Sequence, residues 1–305
     1  PRRGRLPRHH RQAWQRHANR LDQTASALSR KTRNSRRHHC RPDRRNRHDQ
    51  ACRRPLSIER VDDALRLDGA ENVIIDHCSL ANAADETVQI SHSKNITVQN
   101  SILAETIGEH FNLGGMLINY SRPNHILDNL SIHHNVFNRL GGRMPEISCE
   151  GGNCSGLTIN LEFSSNLLWD QQIQSWYNSC SGVNGGDSCQ DVHLNLNYID
   201  NFSFSRKDYT GPMASFDFLQ NERNRIFAKG NKMNLYPQYS DFQLFYCCND
   251  FNGNSPNSDN GKAQILSNRH NFPSLTQTSA ENLVSYSLSK VGAFPRDSMD
   301  IRLLT

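Results

Sequence analysis

Three acidic residues, Asp63, Asp85 and Glu86, and one arginine, Arg143, have the types and spacing to hold a cation beside an anion. Asp63 and Asp85 are 22 residues apart, and the same step separates Cys78 from Asn100 in a repeat described below. The two carboxylates are therefore expected at equivalent places on adjacent layers, about 5 Å apart. Carboxylates that close repel each other unless a cation lies between them. Ca²⁺, with oxygen ligands at about 2.3–2.6 Å, suits such a gap. Glu86 and Asp62 flank the pair and are candidates to complete the shell. The competing reading is a solvated acidic turn. Arg143 lies eight residues after Asn135, much as Asp85 lies seven after Cys78. It is expected beside the acids, two layers away and about 10 Å along the stacking axis, leaving room for one sugar ring. The intervening segment contributes Glu105, Glu109 and the Gly114–Gly115 pair, and Glu109 is taken as a substrate contact. An arginine after a Gly-Gly turn is otherwise a surface charge.

What must position these residues is a repeat. NVIIDHCSL (from Asn72), NITVQNSIL (from Asn95), NLSIHHNVF (from Asn129), LEFSSNLLW (from Leu161), VHLNLNYI (from Val192) and FAKGNKMN (from Phe227) are short β-rich segments, most with an Asn before apolar residues. Their alignment places Cys78, Asn100, Asn135, Asn166, Asn197 and Asn231 in register, at steps of 22 to 35 residues. Such periods mark a solenoid, and alternating β-branched residues make its elements strands. The expected fold is all-β: a right-handed parallel β-helix with stacked Val, Ile and Leu inside. An Asn ladder at one turn would satisfy backbone groups at the bend. A β-sandwich is the alternative, but its strands would not repeat one asparagine beat.

Charge divides the chain. Residues 1–54 hold 17 Arg, one Lys and three acids, an excess of 15 positive charges; residues 55–305 hold 17 basic and 27 acidic groups, an excess of ten negative. The first segment, 1–54, has no strand or helix period and too little apolar surface to offset chain entropy. It reads either as a disordered basic arm able to bind a polyanion or as out-of-frame translation of GC-rich coding DNA. Residues 55–305 read as the β-helix domain, lacking its first coils if the arm replaces genuine sequence. No run of 18 apolar residues exists to span a membrane, and no signal peptide is visible.

Cys149 and Cys154 bracket EGGN, and Cys180 and Cys189 bracket SGVNGGDS, as loops closed by disulfides would, implying an oxidising extracellular setting. Cys40 and Cys52 fall in the basic segment, Cys78 is expected to be a buried thiol, and Cys247–Cys248 are adjacent. Zinc is a weak alternative without a CxxC pair. His133 and His134 sit in a strand and are expected to pack rather than bind metal. Asn95, Asn119, Asn129 and Asn201 begin glycosylation sequons, which arise by chance in an Asn-rich chain.

DALRLDGAENVIIDHCSLANAADE, NITVQNSILAE and SIHHNVFNRLGGRMPEI together resemble pectate lyases of polysaccharide lyase family 1, as does the tail VGAFPRDSMDIRLL from Val291. The resemblance covers about residues 58–200 and 283–304. It implies that Asp63 and Asp85 bind calcium and that Arg143 is the base of a β-elimination that cleaves pectate. Three positions depart from the family pattern: its second arginine falls on Ser148, a substrate-binding lysine falls on Gly114, and its tryptophan before TDE is replaced within LANAADE. The implied protein is a secreted, monomeric, calcium-dependent enzyme with neither nucleic acid nor membrane as partner. Because arginine has a pKa above about 12, an alkaline optimum is expected. A carbohydrate-binding β-helix without turnover, and a lyase for another uronate polymer, are the alternatives.

Overall fold

The computed structural model describes residues 63–106, 114–120, 125–140, 142–149, 157–171, 177–179, 193–207, 209–215, 219, 221–246 and 261–305. The 1–54 segment, Asp62, Glu109 and both bracketed cysteine loops lie outside the described residues, apart from the backbone of Cys149.

The architecture is an all-β parallel β-helix. The chain lays one strand on each of three sheets, then starts the next coil. The first sheet stacks Leu65–Asp68, Val88–Ser91, Met116–Tyr120, Glu146–Cys149 and Tyr177–Ser179. The second runs from Glu71–Asp76 through seven strands to Gln264–Ile265, and the third from Ser79–Ala81 through six to Lys232–Met233. Every recorded strand pair is parallel; Ile75, Val98, Ile132, Phe163 and Tyr198 follow one another in one inward column. Period-two alternation sends these side chains inside, where like shapes stack, and Phe163 lies on Tyr198 with ring centres 5.3 Å apart.

The asparagine ladder exists, with two members corrected. It runs Ser101, Asn135, Asn166, Asn201 and Asn231, each backbone N–H donating to the next side-chain oxygen at 3.0–3.1 Å. Asp241 closes it by accepting from Asn231. Asn100 is one residue out of register: its φ of 48° turns it outward to bond Asp76 and Tyr286, and the Ser101 hydroxyl takes the ladder place. Asn197 is four residues out. It lies within the strand His193–Ile199, whereas the turn residue is Asn201. A second, outer ladder of Asn72, Asn95 and Asn129 links side chain to side chain, each residue at φ 55–59°. Asparagine tolerates that left-handed backbone better than most residues. Two of the sequons are buried, at Asn119 and Asn201. Cys78 is a free thiol, half-buried rather than buried as expected.

The tail's helices α1 (Leu283–Lys290) and α2 (Ser298–Leu304) lie on the outer face of the third sheet, where Val291 and Leu303 pack with Ile102, Val136 and Leu167. Arg302 on α2 donates twice to Glu105, and this pairing leads the effects holding the Glu105 carboxyl below its usual range. His133 and His134 are both buried; their Nδ1 atoms lie 3.0 Å apart, and His134 also meets Thr278 and the Tyr286 ring. Burial pushes each imidazole down to about 4. The unfolded chain therefore binds more protons between the ordinary histidine value near 6.5 and about 4, and stability falls as pH is lowered through that window. The thermal midpoint is expected to drop steadily from about pH 6.5 to 4, and a His134→Gln variant should flatten the slope. An equal slope in both proteins would refute the assignment.

Candidate active site

Each candidate residue sits where the chain turns into the first sheet. Asp63 precedes Leu65–Asp68, Asp85 and Glu86 precede Val88–Ser91, the glycine pair precedes Met116–Tyr120, and Arg143 precedes Glu146–Cys149. Leu65 pairs with Val88, Val88 with Met116, and Leu117 with Glu146. Continued two residues back, that register stacks Asp63, Glu86, Gly114 and Arg143 on four successive coils. The coil step is thus 23 residues, and the residue level with Asp63 is Glu86 rather than Asp85. The backbone fastens the stack: Ala64 N donates to Glu86 O at 2.9 Å, Thr87 N to Gly114 O at 2.9 Å, and Gly115 N to Gly142 O at 3.0 Å.

Carboxylate oxygens of Asp63, Asp85 and Glu86 lie within 4.8 Å of one another. Two ligands of one Ca²⁺ are separated by at most about 5 Å, so this trio fits a single hard cation. It is the metal-competent cluster found among the described residues.

Arg143 reaches further than the sequence implied. It is two coils from Glu86, as expected, but its side chain crosses that gap and its Nη1 meets the Glu86 carboxylate. Its Nε donates to Glu146 Oε2 at 2.6 Å. Glu86 and Glu146 are 1% and 2% exposed, so one guanidinium joins two buried carboxylates. Burying those charges is costly, and such a fork repays the cost only with well-formed hydrogen bonds. The gap expected to admit a sugar ring is thus spanned by Arg143 itself. A Cβ on Gly114 would overlap the Thr106 side chain, so glycine is what lets the chain close up at this turn.

Glycine 115 has a separate reason. A Cβ there would overlap the carbonyl oxygens of Arg143 and Gly142, and those are backbone atoms that cannot swing aside. Gly115→Ala is expected to lower stability by about 1–3 kcal/mol and to shift the Arg143 turn, which holds φ 51°. Thermal denaturation checks the first effect, and a midpoint equal to wild type would contradict the close approach.

Sequence reasoning named Asp63, Asp85, Glu86 and Arg143, and the structure brings all four together. It missed Glu146 and the reason for Gly115. The signal for Glu146 was its place three residues after Arg143, first in a strand with its side chain on Gln89's face of the sheet. Ser148, where the resemblance expects a second arginine, lies in the same strand as Glu146 and pairs with Asn119 on the neighbouring strand.

A parallel β-helix whose coil turns bring a carboxylate trio to an arginine is the class of protein the geometry defines. No family model matches the chain. Among curated proteins it is similar to "Probable pectate lyase C" of Aspergillus fumigatus, 28% identical over 252 residues, covering 79% of this chain and 50% of that protein. The proteins of the same name from Neosartorya fischeri and Aspergillus flavus are 28% and 25% identical, with the same coverage. The chain spans about half the length of the curated relatives it matches. The resemblance to pectate lyases read from the sequence is shared by these relatives.

Proposed function

We propose that this chain is a pectate lyase-like enzyme that cleaves α-1,4-linked polygalacturonate by β-elimination, with Ca²⁺ as cofactor. The observation that carries the reading is Arg143 standing against a carboxylate trio sized for one cation. Asp63, Asp85 and Glu86 would hold the ion, which when bound supplies Lewis-acid charge beside the uronate carboxylate. By fixing where that ion would sit, the trio would determine which sugar ring faces Arg143. Arg143 in its neutral form takes the C5 proton. The electron pair forms the C4–C5 double bond, the C4–O bond breaks, and the departing oxygen is protonated by water. The products are a shortened chain and a 4,5-unsaturated oligogalacturonide.

Ser148 and Gly114, in place of an arginine and a lysine, remove two cations that would grip a polyanion. Another uronate polymer is therefore the second reading for substrate. Glu109 as a substrate contact and an extracellular, monomeric state belong to the same proposal.

The test is absorbance near the ultraviolet edge during incubation with polygalacturonate, with and without Ca²⁺. A calcium-dependent rise abolished by chelator supports the enzyme. Binding of the polymer without any rise would leave a carbohydrate-binding β-helix, and no binding would sink both.

A further inference from the structure

Glu86 stands between a carboxylate cluster sized for a cation and a guanidinium. Its carboxylate belongs to the trio whose oxygens lie within 4.8 Å of one another, and it also meets Arg143 Nη1. Its main chain is fixed by neighbouring coils, with Ala64 N donating to Glu86 O at 2.9 Å and Glu86 N facing Asp63 Oδ1 at 3.4 Å. Only the side chain can choose. Arg143 has a second anchor, since its Nε is held by Glu146 Oε2 at 2.6 Å, and Glu146 is buried. It can release Glu86 without losing its place.

Resting on the calcium-lyase reading above, we propose that Glu86 is a shared carboxylate which couples the cation site to Arg143. Loading the trio draws Glu86 onto the ion, and Arg143 stays on Glu146 with its Nη groups turned free toward substrate. Without the ion, Glu86 clamps Arg143. The coupling is reciprocal by thermodynamic necessity: whatever loosens Arg143 from Glu86 tightens cation binding by the same factor. Glu86 is then a positioning residue for Arg143 as well as a ligand.

Calcium titration calorimetry on the full chain tests this, using Arg143→Lys. Lysine keeps the positive charge but lacks the fork that spans Glu86 and Glu146. If the carboxylate is shared, Arg143→Lys tightens Ca²⁺ binding about tenfold, the worth of one charge-assisted contact. In a Glu86→Gln background the same change should leave affinity within about twofold, because the shared group is gone. Unchanged affinity in the single variant, or equal tightening in both backgrounds, overturns the coupling while leaving the lyase reading intact. Failure of the wild-type chain to bind millimolar Ca²⁺ overturns both.

Should Glu86→Gln not fold, arginine-labelled wild type gives a second measurement. Ca²⁺ should speed proton exchange at the Arg143 Nη groups while Nε–H stays protected by Glu146. Unaltered exchange at both would refute the inference.

Discussion

Arg143→Ala is expected to lower release of unsaturated product from polygalacturonate by about 10²–10⁴-fold, the usual worth of a positioned proton-transfer group. Alanine has no nitrogen to accept the C5 proton. It also leaves Glu86 and Glu146, at 1% and 2% exposure, without the guanidinium that joins them. Removing one partner of a buried ion pair costs about 3–5 kcal/mol, so the variant should also melt earlier. Calcium should restore part of that loss, because an ion on the trio gives Glu86 a new counter-charge. Rates must be compared at a temperature where circular dichroism shows the variant folded. Activity within tenfold of wild type under that condition would remove Arg143 from the chemistry. Arg143→Lys separates charge from geometry: it keeps the cation but not the two-sided grip, and its turnover should also fall steeply.

The second large effect is structural. Asn166 is fully buried in the middle of the inner ladder. Its side-chain oxygen accepts from the backbone and side chain of Asn135, while its amide donates to Ile132 O and Asn201 Oδ1 at 3.0 and 3.2 Å. Asn166→Leu strands a buried N–H of Asn135 and a buried carbonyl of Ile132. Each buried group left without a partner costs about 1–3 kcal/mol, so the two together cost roughly 2–6 kcal/mol. For a unit of this size that lowers the melting midpoint by about 10 °C. The outer ladder offers the comparison. Asn95 donates to Asn72 in an exposed setting, so Asn95→Ala should shift the midpoint far less, because water replaces the lost bond. Equal shifts for the two variants would mean the inner ladder is not what braces the turn.

Much of this was legible beforehand, for identifiable reasons. Strand alternation is a local property, so NVIID, NITVQ and NLSIH announced parallel strands without any knowledge of their partners. A solenoid makes sequence spacing a proxy for spatial spacing, which is why Asp63, Asp85 and Arg143 could be placed on one side. The proxy fails by a residue or a few where a turn changes length. That is how Asn100 stood in for Ser101 and Asn197 for Asn201. Both errors came from counting along an Asn-rich chain, where several asparagines lie within one step of the right place.

By itself, then, the sequence determined the coiled stacking of strands, the apolar interior and the side of the molecule that gathers the acids and the arginine. Only the tertiary structure decided that Glu86 is level with Asp63, that Arg143 reaches back across a coil to Glu86, and that Glu146 secures its other end. The physical reason is that strand period and hydrophobic pattern are written in neighbouring residues. Which charged side chain pairs with which depends on backbone hydrogen bonds between coils and on which side chains those bonds bring face to face.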